Sequence, residues 1–181
     1  RVEDAHESQP QAPDVGGPTH FFYLSPSDRP YREIYRSATS DAVWNVLHWF
    51  RWAMPQRRTF LLTESEVGYG VTPHDAAWYA SNPSGADPRW WFWYNATADA
   101  FELTGGTWDD PGARWIYYLD ADPACEQTIG GTHGVALLAA NDLRGLAGDP
   151  YVPPCPGGPG DGGGPCRWVG GLAHEMGHAY L

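Results

Sequence analysis

Two imidazoles and a carboxylate stand close together in Leu172-Ala173-His174-Glu175-Met176-Gly177-His178-Ala179-Tyr180. On a helix, residues four apart lie one turn above each other, so His174 and His178 can reach a single ion from one face. Glu175 is turned about 100° from His174 around the axis. That sets it beside the ion, where it can take a proton from a bound water and pass it to a leaving amine. Imidazole nitrogen suits zinc, whereas magnesium and calcium prefer oxygen. Val169, Leu172, Ala173 and Met176 form an apolar stripe that would bury such a helix, and Gly170, Gly171 and Gly177 permit close approach of neighbouring backbone. Charged and imidazole groups on a largely apolar helix are costly unless they coordinate something.

The H-E-x-x-H run resembles that of the zincin superfamily of zinc metallopeptidases, and its glycine-rich form, Ala173 to Ala179, is most similar to the metzincin branch. The resemblance is specific over residues 168–180 and suggestive over 115–167. It implies zinc held by His174 and His178, Glu175 as general base, and a protein or peptide substrate cleaved by metal-activated water. It further implies an α+β fold: a zincin-like N-terminal subdomain with a mixed, short-stranded sheet, a backing helix and a C-terminal active-site helix. In zincins an upstream strand forms the sheet edge on which an extended substrate lies. That likeness places the edge at Gly134, Val135, Ala136, Leu137 and Leu138.

The metzincin pattern wants glycine at position 181, where this sequence has Leu181, and the run supplies no third histidine. Catalytic zinc needs three protein groups plus water. His133 is the internal candidate. Otherwise the third ligand lies beyond position 181, and the sequence reads as the N-terminal part of a longer enzyme.

These residues need elements to position them. Residues 1–18 are polar and proline-rich, which predicts an extended or disordered arm ahead of a catalytic domain over 19–181. Val43, Val46, Leu47, Phe50 and Met54 recur at helical spacing, predicting a helix over 40–54, capped by Ser40 and stopped by Pro55, which the resemblance makes the backing helix. Strands are expected at 59–63, 115–120 and 134–138, and short helices at 73–80 and near Leu143, where Asn141 and Asp142 would cap. The last helix is expected to begin near Val169. Irregular links between the strands suggest a mixed or mainly antiparallel sheet.

The aromatic segment from Arg89 to Asp110 holds Trp90, Trp91, Phe92, Trp93, Tyr94, Phe101 and Trp108. Core filling is the favoured reading. The rival is a stacking platform, which would suit an inactive zincin scaffold serving as an extracellular binding or surface module for glycan or protein.

The chain of 181 residues carries 22 acidic and 11 basic side chains, a net charge of −11, which disfavours nucleic acid and anionic membranes as partners. All basic residues are arginine, so lysine Schiff-base chemistry and the Walker phosphate loop are excluded. No stretch approaches the roughly 20 apolar residues of a membrane span, so no membrane insertion is expected.

Cys155 and Cys166 flank a glycine-proline segment that a disulfide would steady, leaving Cys125 without a partner and pointing to a secreted, extracellular protein. The sequon Asn95-Ala96-Thr97 is compatible with export. Asp109, Asp110, Asp120 and Asp122 could hold a structural calcium ion. Substrate specificity and oligomeric state are not readable.

Overall fold

Side chains alternate sides along a strand, and here both sides are apolar, which calls for cover on both faces. In the computed structural model, which describes residues 17–55, 59–62, 67–150, 152 and 164–180, that cover is helical. The strands are β1 (Pro18–Ser25), β2 (Leu61–Leu62), β3 (Gly68–Val71), β4 (Arg114–Leu119), β5 (Gly130–Thr132) and β6 (Val135–Leu138). The helices are α1 (Glu33–Ala53), α2 (Ala76–Ser81), α3 (Trp91–Thr104), α4 (Ala140–Ala147) and α5 (Gly164–Tyr180), with a 3₁₀ turn at Pro88–Trp90.

Phe21, Tyr23, Ile116, Tyr118, Ala136 and Leu138 pack with α1, α4 and α5 through Val43, Leu143, Leu172 and Met176. The intervening Leu24, Trp115, Tyr117, Leu119, Val135 and Leu137 pack with α2 and α3 through Tyr79, Phe92, Trp93 and Ala96. The chain thus has helices and a mixed sheet, the coarse form of the α+β expectation.

Strand order is β2-β1-β4-β6-β5, with β3 also on β1. All pairings are parallel except that of β5 with β6. The expectation of a mainly antiparallel sheet is corrected, because α1 lies between β1 and β2, and α2 and α3 between β3 and β4, as crossover helices.

A second correction concerns the edge. Val135 to Leu138 are fully buried between β4 and β5, so the expected edge, Gly134 to Leu138, is interior. His133 (φ +50°) and Gly134 (φ +81°) form a two-residue hairpin turn that folds Gly130–Thr132 back outside β6. Among the described residues, β5 is the edge on that side.

Helix α1 begins at Glu33, so Ser40 is interior and caps nothing; Tyr35, Thr39, Ala42, Val43 and Val46 continue its buried stripe. It ends at Ala53, with Met54 extended ahead of Pro55. Helix α2 starts after Asp75, whose carboxylate accepts from the Trp78 N–H.

The aromatic segment forms α3, with Phe92 and Trp93 buried and Trp90 and Tyr94 exposed. Asn95 is buried and its amide donates to the Tyr79 and Asn82 carbonyls, so the sequon side chain is not free to carry a glycan. Helix α5 starts at Gly164, earlier than expected.

Of the expected arm, residues 1–16 lie outside the described residues, while Pro18 already belongs to β1. No helix among the described residues is long and apolar enough to cross a membrane.

Candidate metal centre

Helix α5 is pinned by its apolar side. Trp168, Leu172, Met176 and Ala179 are buried. The Trp168 indole lies so close to α4 that a Cβ on Gly145 would fall 2.1 Å from it. At the other end, the Tyr180 hydroxyl hydrogen-bonds Thr19 of β1, and the Arg114 guanidinium sits 5.8 Å from the Tyr180 ring centroid.

This anchoring fixes the rotation of the helix and turns His174 and His178 outward, both exposed, with Glu175 half-buried between them and the sheet. The Nε2 atoms of His174 and His178 are 3.2 Å apart, and the rings meet edge to face at 84°. Two nitrogens bound to zinc at roughly 2.0–2.1 Å and near the tetrahedral angle stand about 3.3 Å apart. The pair is therefore spaced to share one such ion, and the same distance accommodates an N–H···N bond between neutral rings.

Edge strand β5 walls the site. A Cβ on Gly131 would lie 2.1 Å from the Glu175 carbonyl oxygen and 3.2 Å from the His178 Cβ, and one on Gly130 would lie 2.9 Å from Glu175 Oε2. Gly130 also has φ +141°, a conformation that suits glycine. Two adjacent glycines thus let the edge strand press directly on the histidine-bearing turn. The doublet is visible in the sequence, but its contact with Glu175 follows only from the hairpin.

Behind the site, the buried Asp142 of α4 accepts from the Ala139 N–H at 3.2 Å. Burial pushes its carboxyl up to about 6, the Ala139 N–H and Arg167 oppose that rise, and the negative charge of Glu175 adds to it. Nothing in the sequence separated Asp142 from an ordinary helix-capping residue.

Among the described residues, no third histidine, cysteine, aspartate or glutamate joins the pair. His133 is engaged elsewhere, its Nδ1 3.0 Å from Asp109 Oδ1 in the hairpin turn. The four aspartates considered for calcium do not gather either. Asp110 accepts from the Gly112 N–H and Trp115 Nε1, Asp122 pairs with Arg144, and Asp120 is buried at the end of β4.

The cysteine expectation is also corrected: Cys166 is a free, exposed thiol on α5, and Cys125, expected to be unpaired, is disulfide-bonded. Cys155 lies outside the described residues. Compared with known proteins, the chain matches no family model, no curated protein and no solved structure.

Proposed function

We propose that this chain carries the zinc-binding histidines and general base of a secreted, zincin-like endopeptidase acting on protein or peptide substrates. The observation that carries the reading is the 3.2 Å approach of two helix-borne imidazoles beside Glu175 and under an edge strand. Helix α5 packs against that strand, with α1 beside it on the same face of the sheet.

His174 and His178 would hold zinc through Nε2, with the third protein group coming from outside the described residues; the ion would supply Lewis acidity to water and to the scissile carbonyl. Glu175 receives the proton that water gives up and returns it to the departing amine. Its carboxylate is steered by the helix anchoring and by the Gly130 backbone that closes over it. The substrate-edge role read from the resemblance passes from Gly134–Leu138 to Gly130–Thr132, whose outer backbone groups can pair with an extended peptide. The Cys125 disulfide favours an oxidising compartment.

Glu175→Gln is expected to lower peptide hydrolysis by about 10²- to 10⁴-fold while bound zinc, measured by elemental analysis, stays unchanged. Undiminished proteolysis with zinc in place would overturn the assignment.

A further inference from the structure

At the carboxyl ends of β1 and β4, where open parallel sheets leave a crevice, lies a cavity of about 430 Å³ lined by Arg29, Arg32, Tyr35, Asp120, Arg144 and Asp149. It shares none of these residues with the His174–His178 pair. Three of the eleven arginines of an acidic chain converge here.

Two of them are spoken for. Arg32 donates to Asp149 at 2.8 Å and lies over the Tyr35 ring, and Arg144 forks onto Asp122 and Asn141. Arg29 and Asp120 are different. Among the described residues, neither side chain makes a hydrogen bond or ion pair, although Asp120 is only 3% exposed. The Asp120 carboxyl, lining the cavity, thus faces the exposed Arg29 guanidinium, whose positive charge acts on it across the gap.

We propose that this cavity binds a small oxyanion, a carboxylate or phosphate group, gripped by Arg29 and received between Arg32, Arg144 and the carboxyl group of Asp120. Guanidinium groups match the oxygens of both ligand types. The charges around the cavity decide when such an anion is welcome. Arg29, Arg32 and Arg144 are offset by Asp122, Asp149 and Asp120 when all are ionised, and one positive charge is left over once Asp120 takes a proton.

Burial raises Asp120 to about 6 against the lowering influence of the three arginines, with Asp122 adding to the rise. Tyr23 and Tyr35 also face it, and both stay protonated, Tyr35 being pushed up to about 12 by burial. Below about pH 6, the protonated Asp120 donates a hydrogen bond to the bound anion, so affinity rises as pH falls.

The experiment is calorimetric titration of the intact protein with sulfate and, separately, acetate at constant ionic strength, at about pH 5.5 and 7.5. Saturable binding of either probe at the lower pH is expected, weakened about tenfold or more at the higher pH because protonated Asp120 becomes scarce. Sulfate binding alone identifies a phosphate-type ligand, and acetate binding alone a carboxylate. Arg29→Gln, at an exposed position, is expected to weaken binding about tenfold or more. Asp120→Asn, checked for a native melting curve, is expected to bind equally at both pH values.

Failure of both probes to saturate, or wild-type affinity in Arg29→Gln, would overturn the site. Binding independent of pH in the unmodified protein would overturn the part given to Asp120.

Discussion

The histidine pair beside β5 and the arginine cavity at the ends of β1 and β4 use the same sheet in opposite ways. At β5, both imidazoles and the carboxylate come from one turn of one helix, and the strand contributes only the absence of side chains at Gly130 and Gly131. At the strand ends, the polar groups come from the loop after β1, the start of α1, the residue after β4, and α4 with its following loop. The first site is local in the chain and tolerates no side chain where the neighbouring strand passes. The second is assembled from distant segments and depends on a balance of charge. Damage to one should therefore leave the other intact.

The largest effect is expected from His178→Ala. Zinc affinity should fall by more than about a hundredfold, beyond what loss of a supporting group around a metal costs, while anion binding at the cavity stays unchanged. Equilibrium dialysis against zinc and the sulfate titration separate the two sites.

Gly131→Ala should come next. Its methyl group collides with the Glu175 carbonyl oxygen, a backbone atom that a rotamer change cannot move. A loss of about 2–3 kcal/mol is expected in urea unfolding, with hydrolysis impaired because β5 must back away from α5.

Asp142→Asn probes the α4 framework that serves both regions. The folded-state carboxyl sits at about 6 against an ordinary value of 3.8, so Asp142 costs no stability below about pH 4, where it is protonated in both states. The cost grows as pH rises from about 4 to 6 and is complete above. The asparagine variant cannot ionise, so its stability relative to the wild type should rise across that window by about 3 kcal/mol. Denaturant melts at pH 4, 5, 6 and 7 give the profile.

The smallest effect is expected at Gly170→Ala, on the same helix as the histidines but with nothing within 4 Å of the added Cβ. Helix propensity alone should stabilise the protein by about 1 kcal/mol, without changing zinc or sulfate binding.

Much of the framework was legible in the sequence because it is local. The stripe through Leu172 and Met176 foretold which side of α5 is buried, and the apolar run at 115–120 foretold β4. The aromatic helix α3 was hidden because apolar residues around the start of the segment blur its period. The sheet is mixed, but its predominance of parallel pairings was missed because strand direction depends on where crossover helices dock. The mistaken edge strand came from carrying the zincin resemblance onto the apolar run at 134–138. The outer strand is the shorter, glycine-rich Gly130–Thr132, brought there by positive φ angles at His133 and Gly134.

The sequence by itself determined that two imidazoles would stand one turn apart with a carboxylate beside them, because the 3.6-residue period of a helix makes that spacing a local property. The tertiary structure alone decided which strand closes over them, that His133 turns instead to Asp109, and that Arg29 and Asp120 meet across one cavity. Those outcomes depend on how distant segments pack, and helical or strand periodicity within a segment carries no record of its distant neighbours.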